Sequence, residues 1–180
     1  MAKIIYLDNA ATSKVHPEVL DSYHRITLEY FANPSSIHGL GQKSAHLLES
    51  SRQQILNTLN LKQHEVIFTS GATEANNLAI KGYCFANRTR GNHLITSAGE
   101  HPSVLKTIKE MASCGFAITV LPLNEKGVIA VDDLVAALTK ETIFVSLMAV
   151  NNETGAINPI AEIATALKPF PKIVFHVDMV

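Results

Sequence analysis

The chain has 180 residues, 47% of them apolar, which is enough for one substantial core and for one domain or slightly more. Its 15 basic and 16 acidic side chains leave a net charge of -1 with no run of either sign, so composition gives no electrostatic footprint for nucleic acid or a membrane surface. Met1 to Tyr6 is too short, and too soon followed by Asp8 and Asn9, for a signal peptide, and no apolar stretch reaches bilayer length, so the expected compartment is the cytoplasm.

The pattern alternates short β-branched runs with helical ones, which predicts an α/β fold with a mostly parallel sheet. An extended start (Ile4 to Leu7) precedes a helix from Pro17 to Tyr30, a loop from Asn33 to Gly41 and a second helix from Gln42 to Leu59. Glu65 to Thr69 reads as a strand, Thr73 to Asn87 as a helix, and His93 to Ser97 as the next strand. Pro102 opens a helix that continues to Ser113, and Phe116 to Leu121 returns as a strand. Asp132 to Leu138 is expected to be helical, Ile143 to Val150 a strand, Pro159 to Leu167 a helix and Ile173 to Val177 a final strand. A chain ending directly after that strand lacks a crossover helix, so truncation of the domain is expected.

Four places carry chemistry. In Ser70-Gly-Ala-Thr-Glu-Ala-Asn76 the free N–H groups of a first helical turn and the Thr73 hydroxyl can donate to a phosphate, although for this motif alone Ser70 or Thr73 as a simple helix cap is the more ordinary reading. His101, just past a strand, can stack on a flat cofactor and shuttle protons. Asn152, in the polar turn after Ile143 to Val150, can bond a phenolate oxygen or a substrate carboxylate. Asp178 ends the last strand, where a carboxylate with little packing role can hold a pyridinium nitrogen protonated. The remaining histidines carry no metal-ligand spacing, and only His38 and His176 sit in contexts of interest. Cys84 and Cys114 read as buried or partly buried reduced thiols.

The chain resembles the cysteine desulfurases, in the class V aminotransferase group of fold type I pyridoxal-phosphate enzymes. The resemblance rests on Tyr6-Leu-Asp-Asn-Ala-Ala-Thr12, Asn33-Pro-Ser-Ser-Ile-His38, Ile67-Phe-Thr-Ser-Gly-Ala-Thr-Glu-Ala-Asn76, Glu100-His-Pro-Ser-Val104, Val150-Asn-Asn-Glu-Thr-Gly155 and Phe175-His-Val-Asp178. It implies a three-layer α/β/α domain of the large-domain type of pyridoxal-phosphate transferases, with residues 1–16 as an extended lead-in and 17–180 as an incomplete cofactor-binding domain. It also implies that Ala72 and Thr73 bind the phosphate of pyridoxal 5'-phosphate, that His101 stacks on the ring and acts in catalysis, that Asn152 contacts the phenolic oxygen and that Asp178 pairs with the ring nitrogen.

L-cysteine would be the substrate, alanine and an enzyme persulfide the products, and a sulfur-acceptor protein serving iron–sulfur cluster assembly the expected partner. The family's cofactor-linking lysine and nucleophilic cysteine lie beyond Val180, so the 180 residues alone are expected to be inactive and an intact enzyme to be a homodimer. Met179 departs from the small residue usual beside the aspartate. Rival readings keep the fold but make the enzyme a selenocysteine lyase, an epimerase or a transaminase, or make the chain a short non-catalytic interaction protein.

Overall fold

The computed structural model describes residues 4–180. Of these, the residues up to Phe68 form one compact unit and Thr69–Val180 a second.

In the first unit, α1 (Pro17–Glu29) starts on a proline, whose missing N–H costs nothing in a first turn. The second helix, α2 (Gly39–Thr58), begins earlier than its sequence pattern predicts, because the His38 imidazole caps it by accepting from the Gly41 amide (3.2 Å). Histidine is not among the usual capping residues, so this start is hard to see in sequence. The loop before it closes as an Asx turn, with Asn33 Oδ1 accepting from the Ser35 amide (2.8 Å). Gly41 packs so closely on Ser36 that a side chain there would collide with the Ser36 carbonyl oxygen. Glu65 to Thr69, expected as a strand, is irregular, and Ile67 and Phe68 are exposed. Its apolar, β-branched composition fits a strand, but no neighbouring backbone among the described residues pairs with it.

The second unit is a three-layer α/β/α domain, as expected. Its four-stranded sheet has the order β2-β1-β3-β4, made of β1 (His93–Ser97), β2 (Ala117–Leu121), β3 (Thr142–Met148) and β4 (Val174–Asp178), and every ladder is parallel. The central strands β1 and β3 are buried at every position, as strands covered on both faces should be. Their side chains alternate between two cores. Leu94 and Phe144 face a cluster with Ile80, Val104, Ile108 and Met111 from α3 (Ala72–Ala86) and α4 (Pro102–Ser113). Ile95 and Val145 face a cluster with Leu134 of α5 (Val131–Ala137) and Ile163 and Leu167 of α6 (Ile160–Leu167). Val104, Ile108 and Met111 recur at helical spacing on one face of α4, and each contributes about 1.5–3 kcal/mol by leaving water.

Strand order, more than composition, positions the site. From β1 the chain moves outward to β2, then crosses back to place β3 on the other side of β1. The carboxyl ends of β1 and β3 therefore flank a switch point, the place where open α/β sheets leave a crevice. Among the described residues no helix is long and apolar enough to cross a membrane.

Candidate functional site

Each chemically interesting residue of the second unit follows the carboxyl end of a strand or opens a helix at that edge. His101 comes after β1 and is the N-cap of α4; Asn152 comes after β3; Asp178 ends β4; Ala72 and Thr73 open α3.

The first turn of α3 is open. Gly71 is its N-cap and no side chain caps it, so neither Ser70 nor Thr73 serves as the simple cap that the sequence allowed. Among the described residues the amides of Ala72 and Thr73 have no acceptor, and the first intrahelical bond of this turn runs from the Ala75 amide to the Gly71 carbonyl (3.1 Å). Glu74 reaches back to accept from the Ser70 amide at 2.6 Å, a bond that holds its carboxyl below the ordinary value. Thr73 and His101 line one cleft of about 260 Å³ with Asn77, Ser103, Lys106 and Thr107. The Thr73 hydroxyl and Lys106 on this cleft, with the acceptor-free amides where α3 begins, suit a phosphate group, and Glu110, which also lines the cleft, is paired with Lys81 (2.6 Å).

Asp178, expected to have little packing role, is buried, at 7% exposure. Its Oδ2 accepts from Asn76 Nδ2 (2.9 Å) and its Oδ1 from the Val180 amide (3.2 Å). A carboxylate has about four acceptor sites, so these two bonds leave capacity for a protonated ring nitrogen. The same Asn76 nitrogen lies 2.9 Å from Ser103 Oγ, and Ser103 Oγ lies 2.8 Å from His101 Nδ1. Asp178 and His101 thus belong to one hydrogen-bonded line through residues for which the sequence suggested no role. Helical spacing holds the only hint: Asn76 lies one turn beyond Ala72 and Thr73 on the same face of α3.

Asn152 sits at the same edge, exposed, and no hydrogen bond of its side chain joins it to this line. Its neighbour Asn151 does the structural work. Asn151 Nδ2 donates to the Gly99 carbonyl (2.9 Å) while its Oδ1 accepts from the Glu153 and Thr154 amides (3.0 and 2.8 Å). It therefore shapes the turn and fastens it to the segment leading into His101.

Glu100, also missed by sequence reasoning, lies at the switch point with 5% exposure. Its Oε1 accepts from Ser97 Oγ at the end of β1 (2.6 Å) and from the Met148 amide at the end of β3 (3.0 Å), while Oε2 has no partner among the described residues. Burial pushes this carboxyl up to about 7; the two hydrogen bonds pull it down and the charge of Asp178 pushes it up. His38 and His176 take structural parts. His38 caps α2, while His176 bonds Ser146 Oγ (2.8 Å) and stacks on Phe144 inside the sheet.

Cys84 is fully buried, and burial pushes its thiol up to about 12. A thiolate is the reactive form, so Cys84 is inert in the folded chain. A thiol reagent should modify Cys114 at most under native conditions and both cysteines after denaturation. Rapid loss of two thiols from the folded chain would contradict this placement.

A model of the aminotransferase class V family matches residues 5–180. A "NifS/IcsS protein homolog" of Lactobacillus delbrueckii subsp. bulgaricus is 48% identical over 98% of this chain and 46% of its own length. A "Cysteine desulfurase IscS" of Dictyoglomus turgidum is 44% identical over 100% of this chain and 45% of its own. Among solved structures, a "NIFS-LIKE PROTEIN" superposes with a TM-score of 0.93 at 33% identity, over 98% of this chain and 49% of that one. "SspA in complex with cysteine" superposes with a TM-score of 0.88 at 35% identity, over 97% and 50%. The chain thus spans about half the length of the relatives it matches.

Proposed function

Because the chain belongs to the aminotransferase class V family, we propose that it supplies the cofactor-binding portion of a pyridoxal-phosphate-dependent cysteine desulfurase. In this reading the enzyme works in the cytoplasm as a homodimer and hands sulfur from L-cysteine to an acceptor protein for iron–sulfur cluster assembly. Residues 17–180 are its incomplete cofactor-binding domain. The observation that carries the reading is the meeting of an open helix N-terminus, an imidazole and a buried carboxylate at the switch-point edge of one parallel sheet. The relatives described as cysteine desulfurases support the choice of reaction.

Pyridoxal phosphate, when bound, supplies an electron sink for bonds at the α-carbon of an amino acid. The Ala72 and Thr73 amides and the Thr73 hydroxyl hold its phosphate, His101 covers the ring and serves as the catalytic imidazole, Asn152 bonds the phenolic oxygen, and Asp178 holds the proton on the ring nitrogen. L-cysteine and a thiol give L-alanine and a persulfide, with no outside oxidant or reductant. The 180 residues hold no counterpart of the family's cofactor-linking lysine or sulfur-accepting cysteine, and the buried Cys84 thiol does not fill the second role.

The test is alanine release from L-cysteine with pyridoxal phosphate, against a protein-free control because the free cofactor reacts slowly with cysteine unaided. The 180-residue chain should bind the cofactor weakly and release no alanine above the control, since most of the preorganisation is missing. The product of the complete reading frame should release alanine and form a persulfide. A transamination product without persulfide from that protein would assign a different reaction to the same fold.

A further inference from the structure

Asp178 fixes the direction of every hydrogen bond in the line that runs from it to His101. A carboxylate only accepts, so the atom of Asn76 that faces Asp178 Oδ2 at 2.9 Å is the amide nitrogen. That nitrogen has two hydrogens, and the second goes to Ser103 Oγ, also at 2.9 Å. Ser103 Oγ, already accepting, has its own hydrogen free for His101 Nδ1 at 2.8 Å. The Ser103 backbone N–H points at the same Nδ1 (3.2 Å), because His101 caps α4. With two donors aimed at it, Nδ1 carries no proton, and the hydrogen of the neutral ring is on Nε2. Asn76 and Ser103 are both buried, at 4% and 7% exposure, so water does not compete strongly for these bonds, and His101 Nε2 has no hydrogen-bond partner among the described residues.

We infer that Asn76 and Ser103 are positioning residues: Asn76 orients the Asp178 carboxylate with one amide hydrogen and, with the other, sets Ser103 to hold His101 in its Nε2–H tautomer. The inference deepens the cofactor-binding reading and rests on it for its catalytic meaning, but the hydrogen-bonded line belongs to the chain alone. It makes the group over the ring and the group at the ring nitrogen a single preorganised unit, built from α3, α4 and β4. The atom that His101 offers to a ligand in this state is a hydrogen-bond donor.

The test uses the 180-residue chain without cofactor. Nitrogen-15 spectra of labelled histidine should show His101 with Nε2 protonated and Nδ1 bare. Ser103→Ala should move the ring toward a mixture of tautomers, and Ser103→Thr, which keeps the hydroxyl, should restore the original pattern. Both Asn76 side-chain amide protons should exchange with water at least about tenfold more slowly than those of exposed Asn152, a reading that needs no variant. A proton on Nδ1, unchanged His101 signals in Ser103→Ala, or Asn76 amide protons exchanging as fast as those of Asn152 would overturn the inference. A separate titration of the complete reading frame's product with pyridoxal phosphate reads the cofactor assignment. An intact line in the 180-residue chain beside a complete protein that never binds the cofactor would sink that assignment and leave the tautomer as inferred.

Discussion

Replacing Glu100 with Gln should stabilise the folded chain at pH 8 relative to its effect at pH 4, by up to about 3 kcal/mol. The sign follows from the direction of the shift. Burial raises the carboxyl from its ordinary value of 4.5 to about 7 in the folded chain, so between those values the folded state holds a proton that the unfolded state has released. Stability therefore falls as pH rises through this window, and the full penalty is present above pH 7. Gln imitates the neutral acid: its oxygen can accept from Ser97 and the Met148 amide, and it never ionises. His93 and His176, whose values burial lowers, work the other way and lose stability as pH falls through their ordinary range. Both are present in either chain, so the difference between urea unfolding curves of the two proteins isolates Glu100. A difference that stays flat from pH 4 to pH 8 would mean that the carboxyl ionises without penalty.

Where the sequence predicts well, the signal is local. His93 to Ser97 and Pro102 to Ser113 have the expected bounds because Pro102 opens the helix, Gly115 breaks the chain beyond it at φ 89°, and the strand is short and walled in on both faces. The edge to which His101, Asn152 and Asp178 belong is legible for the same reason: each follows a strand, and parallel strands end on one side. What is not legible depends on partners far away in the chain. Glu65 to Thr69 has the composition of a strand, but a strand also needs an adjacent backbone, and composition does not say whether one is there. The bonds of Asn76 cross 27 residues to Ser103 and 102 residues to Asp178, so no window along the chain contains them. Glu100 misleads most. A charged residue in a loop reads as solvated, whereas here it bridges the ends of two strands that become neighbours only after the chain has crossed back over the sheet.

Asp178 should show a large separation between folding and turnover. Asp178→Ala removes the acceptor of a buried Asn76 hydrogen, which leaves that donor unsatisfied and should cost about 1–3 kcal/mol of stability. Asp178→Asn can turn its carbonyl oxygen toward Asn76 and should cost less, because the amide keeps both the shape and one acceptor. Neither variant can hold a proton on the ring nitrogen of a bound cofactor by charge. In the product of the complete reading frame, both should therefore lose turnover on the order of 100-fold or more, the scale on which single electrostatic contacts to developing charge are worth. The Asn variant is the sharper probe, since its folding is nearly preserved while the charge is gone. The two measurements are urea unfolding of each variant and its rate of alanine release from L-cysteine. If Asp178→Asn kept wild-type turnover, the carboxylate would be a packing and hydrogen-bonding element of β4 and α3, and the assignment of the ring-nitrogen partner would have to move elsewhere.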